Sequence, residues 1–160
     1  MKVKYFDLKN KRVFITGGGS GIGASIVEHF CEQECEVYFV DINIKESKKL
    51  ISNLKKKKIK APHFIECNLL KIKKLENIIK KIIKSKGPID ILINNAANDD
   101  RHSTKQVDEK YWNNRMDVNL KHFFFTIKAV LRGMIQKKGG AIINLSSVSW
   151  MLGEGDKVAY

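Results

Sequence analysis

The run Val13-Phe14-Ile15-Thr16-Gly17-Gly18-Gly19-Ser20-Gly21-Ile22-Gly23 decides how this chain folds. Four residues of strand character end abruptly in glycines, and a helical pattern opens inside the turn and continues to about Gln33. A strand that turns this sharply into a helix leaves backbone N–H groups and the positive end of the helix dipole facing outward, where an anion such as a pyrophosphate is stabilised. A Cβ at the contact positions would hold the phosphates away, so that role needs glycine. The spacing is not G-x-G-x-x-G, because Ile22 stands in its last place; it is G-x-x-x-G-x-G on Gly17, Gly21 and Gly23. No lysine follows as a P-loop would require. A turn of this kind can also be a plain strand-to-helix connection that binds nothing, so its neighbours matter.

Further short apolar runs lie at residues 37–40, 64–67, 89–93 and 141–145. They are mostly apolar rather than alternating, the mark of a sheet covered on both faces. Between them the pattern turns helical. Ile72, Leu75, Ile78, Ile79, Ile82 and Ile83 fall on one side of a helix, with Lys73, Lys74, Lys80, Lys81 and Lys84 on the other. Gly87-Pro88 and Gly139-Gly140 each stop a helix just before a strand. Strand alternating with helix implies right-handed crossovers, and hence an α/β fold of Rossmann type: a doubly wound parallel sheet in three α/β/α layers. The expected organisation is one domain over residues 1–160.

A length of 160 residues is enough to bury a core. Thirty Lys and Arg against 17 Asp and Glu give a formal charge of +13, yet residues 45–86 alone carry fifteen Lys and three acids, or +12. That segment has no Arg, and Phe64 is its one Phe, Tyr or Trp, so it lacks bidentate base readers and stacking platforms. Solvated helix faces are expected there, and no nucleic acid. Cys31, Cys35 and Cys67 have no C-x-x-C spacing, which points away from disulfides and metal. His29, His63 and His122 lack partners at metal or triad spacing and read as surface or packing residues. The N-terminus lacks the apolar stretch of a secretory signal, and no run approaches the roughly 18 apolar residues of a membrane span. A cytoplasmic protein is expected.

Asp41 closes the second strand about 20 residues beyond the glycines, where a carboxylate can accept both ribose hydroxyls of an adenosine. It would repel a 2′-phosphate, so NAD is expected over NADP, although Lys45, Lys48 and Lys49 lie close by. Asn68-Leu69 follows the third strand and Asn94-Asn95-Ala96-Ala97 the fourth, at the carboxyl edge where such sheets bind ligands. There an Asn can hold adenine, buttress a loop or simply form a turn, while small residues at 96 and 97 let a flat ring lie close. The candidate cofactor residues are Gly17, Gly19, Ser20, Gly21, Ile22, Gly23, Asp41, Asn68, Leu69, Asn95, Ala96 and Ala97.

Taken in order, these pieces, with Asn119 in D-V-N-L, I-I-N-L-S-S at 142–147 and Tyr160, resemble the short-chain dehydrogenase/reductase family over the whole chain. The resemblance implies that Tyr160 is the general acid/base, that Ser147 bonds the substrate oxygen and that Asn119 anchors a water in the proton relay. A free Tyr has a pKa of about 10 and serves as a base near neutrality only beside positive charge. In the family the nicotinamide and a Lys four residues after the Tyr supply it, and this sequence ends at Tyr160. Ala97 for the commoner Gly and Asn68 for the commoner Asp are smaller departures. The expectation is therefore an NAD-binding domain incomplete at its C-terminus, lacking the family's C-terminal helix and strands, aggregation-prone alone, and a homotetramer or homodimer at full length.

Asn98-Asp99-Asp100-Arg101-His102, Trp112-Asn113-Asn114-Arg115-Met116 and Ser149-Trp150 resemble more narrowly the bacterial aldose 1-dehydrogenase branch, which implies a sugar substrate. Asp and Arg can each hold two hydroxyls, and Trp150 could stack on a sugar face. Asn98, Asp99, Arg101 and Trp150 are thus candidate substrate residues; a surface or inter-subunit ion pair among Asp99, Asp100 and Arg101, with Trp150 as packing, is the alternative. The expected activity is NAD-dependent hydride transfer at a sugar alcohol or carbonyl carbon. A 3-oxoacyl reductase would want NADPH and a basic residue by the glycines, absent from 16–23. An inactive NAD-binding fragment is the non-enzymatic alternative.

Overall fold

The computed structural model describes residues 3–152 together with Gly155 and Ala159. Five strands, β1 (Arg12–Thr16), β2 (Glu36–Asp41), β3 (His63–Glu66), β4 (Ile91–Asn94) and β5 (Ala141–Asn144), form one sheet in the order β3-β2-β1-β4-β5, every pair parallel. The register sets Val13 beside Val37 and Ile91, and Thr16 beside Val40 and Asn94. Helices α1 (Gly21–Glu32), α2 (Ile44–Lys56), α3 (Ile72–Lys86), α4 (Glu109–Met116), α5 (His122–Gln136) and α6 (Ser149–Leu152) connect or follow the strands, and a π-helical turn at Asp117–Lys121 joins α4 to α5.

Successive strand residues point to opposite faces, and each face has its own core. Phe14, Tyr38, Val40 and Leu92 pack with Leu75, Ile79 and Ile82 of α3 and with Val130 and Met134 of α5. Val13, Ile15, Val37, Phe39, Ile91 and Ile93 pack on the other side with Val27 and Cys31 of α1 and Leu54 of α2. Burial on both faces explains the uninterrupted apolar runs of β1, β2 and β4. It does not extend to β5, where Ile142 and Ile143 remain 37% and 46% exposed. β5 lies at the edge of the sheet, paired with β4. The fourth strand also starts later than the apolar run: pairing begins at Ile91, after Gly87 at φ 96° and Pro88, which has no N–H to give.

Helix ends follow the local chemistry. Asn43 caps α2 by accepting from the Glu46 N–H at 3.1 Å, and Asp108 caps α4 by accepting from the Tyr111 N–H at 2.7 Å. Ser20, at the head of α1, makes no such bond. The carboxyl ends of β1, β2, β4 and β5 thus converge on one edge with the uncapped start of α1.

Candidate active site

Gly17 leaves β1 at φ 68° and donates to the Val40 carbonyl at 2.8 Å. A Cβ there would lie 2.8 Å from the Cα of Ala96. A Cβ on Gly23 would lie 1.9 Å from the Gly17 carbonyl oxygen, so only glycine lets α1 start this close to the strand. Around Gly21 the space is open, and Ser20, Gly21 and Ile22 are exposed. The first N–H groups of a twelve-residue helix consequently face outward without a side-chain cap.

Asp41 reaches back across this turn: one carboxylate oxygen accepts from the Gly19 N–H at 2.7 Å and the other from the Asn43 N–H at 2.8 Å. Asn95 sits on the opposite flank, its amide donating to the carbonyls of Thr16 and Gly17 at 3.0 and 2.9 Å. Of the roles open to it in the sequence, buttressing the glycine turn is the one its side chain performs here. Asn68 folds locally, accepting from the Leu70 N–H at 2.9 Å, and the Leu69 side chain is buried in the core with Leu75 and Ile79. Leu69 can therefore offer a ligand only its backbone.

Asn119 lies within the π-helical turn, a backbone irregularity that is often functional. Its side-chain oxygen accepts from the Asn98 N–H at 2.7 Å and its amide donates to the Asn98 carbonyl at 3.1 Å, a two-point clamp on the loop after β4. Ser147 follows β5, its hydroxyl donating to Ser149 Oγ at 2.9 Å. A cleft of about 300 Å³ joins these pieces, lined by Ile22, Asn95, Ala97, Asn119, Ser147 and neighbours from α5 and β5. Ala96, in contact range of the Gly17 backbone, completes the wall between turn and loop.

The described lining of the cleft does not include Asn98, Asp99 or Arg101. Asn98 is held by Asn119, Asp99 is exposed, and the acidic partner of Arg115 is Asp100 at 3.1 Å. An ion pair of this loop thus runs from Asp100 to α4, because Arg115 is almost fully buried and its charge requires a counter-ion. Trp150 lies on α6, but its side chain is outside what is described, as is Tyr160. Ala159 is described: it is buried, and its N–H donates to His102 Nε2 at 3.1 Å.

Two buried polar groups stand behind the cleft, one around Thr16, which the sequence does not single out, and one around Asn94, for which it leaves several roles open. Thr16, the last residue of β1, donates its hydroxyl proton toward His122 Nε2 at 3.2 Å, and the same oxygen accepts from the N–H groups of Asn95 and Ala96 at 3.0 and 3.2 Å. Asn94 donates to Asn144 at 2.8 Å and accepts from Thr126 at 2.7 Å, tying β4 to β5 and α5. A polar residue at the last position of a strand, and a His within one turn of Asn119, were the available signals. Among the described residues no cluster of His, Cys, Asp and Glu is placed to hold a metal ion.

The profile of the family described as short chain dehydrogenase matches residues 11–160, and the chain belongs to that family. D-xylose 1-dehydrogenase of Caulobacter vibrioides is 44% identical over 156 residues, covering 98% of this chain and 61% of that protein. A 3-oxoacyl-[acyl-carrier-protein] reductase of Staphylococcus epidermidis is 31% identical over 155 residues, covering 94% of this chain and 62% of that protein. Among solved structures, the ligand-free aldohexose dehydrogenase of Thermoplasma acidophilum superposes with a TM-score of 0.83 at 26% identity, covering 98% of this chain and 56% of that one. The chain spans about three fifths of the length of the curated relatives it matches.

Proposed function

We propose that this chain carries the cofactor site and reacting side chains of an NAD-dependent oxidoreductase that transfers hydride at a hydroxyl-bearing carbon of a sugar. The observation that carries the reading is the cleft itself, which brings Ile22 of the glycine turn, Asn95, Asn119 and Ser147 together beside an uncapped helix N-terminus.

The glycine turn fits a dinucleotide. The space a Cβ would occupy at Gly17 and Gly23 is filled by backbone, whereas Gly21 faces open space at φ 53°, so the chain packs tightly behind the turn and leaves room in front. In this reading Gly17, Gly19, Ser20, Gly21, Ile22 and Gly23 form the phosphate cradle, Asp41 receives the adenosine ribose, and Asn68, Leu69, Asn95, Ala96 and Ala97 flank the base and ring pockets. Both Asp41 oxygens already accept one backbone N–H and retain capacity for more, and a 2′-phosphate would meet their negative charge. NAD is therefore favoured over NADP.

When bound, the nicotinamide supplies a hydride acceptor and donor. Ser147 holds the substrate oxygen, Tyr160 takes or returns its proton, and Asn119, fixed to Asn98 by two hydrogen bonds, anchors a water in the proton relay. The sugar reading is supported by the xylose and aldohexose dehydrogenases among the relatives. Asn98, Asp99, Arg101 and Trp150 are proposed on the rim of the substrate path. The working form is proposed to be a soluble cytoplasmic homo-oligomer at full length. The test is absorbance at 340 nm with the full-length protein, a panel of aldoses and either NAD+ or NADP+. NAD+-linked oxidation of a pentose or hexose is expected; turnover confined to NADPH and a 3-oxoacyl thioester would replace this reading with the reductase one.

A further inference from the structure

His122 begins α5 and is fully buried, one residue beyond the π-helical turn that holds Asn119. Its Nδ1 lies 2.8 Å from the Val118 carbonyl oxygen, which can only accept, so the ring proton sits on Nδ1. Nε2 is then a lone pair and accepts the Thr16 hydroxyl proton at 3.2 Å. A threonine hydroxyl has one proton and two lone pairs. Here the proton goes to His122, and the lone pairs receive the N–H groups of Asn95 and Ala96. The hydroxyl is saturated, and the imidazole decides which way it points. With the opposite tautomer, or with a protonated ring, an N–H would face an oxygen whose lone pairs are both engaged.

We propose that His122 is a positioning residue of the cleft: as the neutral Nδ1–H tautomer it locks, through Thr16, the π-turn of Asn119 to the glycine turn and to the Asn95-Ala96 loop. The chain of bonds crosses three segments, 118–122, 16–17 and 95–96, that the sequence keeps far apart. Each of the segments contributes to the cleft or its wall. Burial pushes the His122 pKa down to about 4, opposed by the hydrogen bond to Val118, which is the direction the neutral ring requires. The groups facing the ring are the Thr16 hydroxyl, the Val118 carbonyl and the edge-on Phe123 ring, whose centroid is 4.6 Å away.

The inference rests on the glycine turn being a dinucleotide site, so the test needs one readout that does not. His122→Phe keeps an aromatic ring and removes both polar atoms; His122→Gln can still donate to Val118 and accept from Thr16. In the full-length protein, hydrogen exchange of the backbone amides of Asn95 and Ala96 is followed by mass spectrometry, and NAD+ affinity by calorimetry. His122→Phe is expected to speed exchange in that loop and to weaken NAD+ binding by about tenfold, the scale of one buried group left unpaired. His122→Gln is expected to restore both. Faster exchange in His122→Phe without binding of NAD+ by the parent protein would sink the dinucleotide reading and leave the lock standing. Unchanged exchange at Asn95 and Ala96 in His122→Phe, or failure of His122→Gln to restore it, would overturn the lock.

Discussion

A Cβ on Gly23 cannot be accommodated by a side-chain shift, because the atom it meets is the Gly17 carbonyl oxygen. Gly23→Ala is expected to push α1 off the end of β1, cost about 1–3 kcal/mol as overpacking does, and weaken NAD+ binding at least tenfold; thermal denaturation and calorimetry read both effects. At Asp41 the prediction concerns selectivity. Asp41→Ser removes the charge that repels a 2′-phosphate, and the ratio of NADP+ to NAD+ affinity should rise by about tenfold, an effect of one charge close by; an unchanged ratio would mean that Asp41 serves only to hold Gly19. The pH dependence follows from His122. Its folded pKa of about 4 lies below the ordinary 6.5, so between those values the unfolded chain binds the extra proton. Stability is therefore fully present above pH 6.5 and falls as the pH drops toward 4, by about 3 kcal/mol at most. Urea titrations at pH 7 and pH 4.5 should show a shallower loss in His122→Gln than in the parent protein.

Elements repeat the lesson at a larger scale. Helix α3 was fully legible: its isoleucines recur with helical spacing, and Leu75, Ile79 and Ile82 are the residues it buries. Ile79→Ala should cost about 2–5 kcal/mol, the range for emptying a buried aliphatic site, as chemical denaturation would measure; a loss under about 1 kcal/mol would mean the α3–sheet contact collapses to refill the space. Strands β1, β2 and β4 were legible because runs buried on two faces need no polar alternation. Helix α4 and the π-turn were not, since Glu109–Met116 is mostly polar and has no apolar period. The glycine turn, Asp41, Asn119 and Ser147 could be picked out by local spacing and resemblance. The contacts that organise them could not, because Thr16 and His122 are 106 positions apart and Asn95 and Thr16 are 79. No window of sequence contains both ends of such a bond. For the same reason the pairing of Asp100 with Arg115, on another element, could not be read from the run Asp99-Asp100-Arg101.

At the scale of the whole molecule, two cores are separated by one sheet, and the apolar surface left over is unevenly placed. Phe124, Leu131 and Ile135 on α5 and Ile142 and Ile143 on β5 are exposed. As a 160-residue polypeptide the protein is expected to self-associate, seen as light scattering that rises with concentration; Ile135→Lys with Ile143→Lys should reduce it, and a monodisperse monomer would contradict the expectation. The charge is uneven in the opposite sense. Lys55, Lys56, Lys57, Lys58 and Lys60 lead into β3, and Lys71, Lys73 and Lys74 lie shortly after it. Lysine beside an edge strand discourages a second chain from pairing there. Of the two border strands β5 alone exposes large apolar side chains, Ile142 and Ile143, which gives the sheet a direction of growth: a strand added to it, from this chain or another, is favoured at β5.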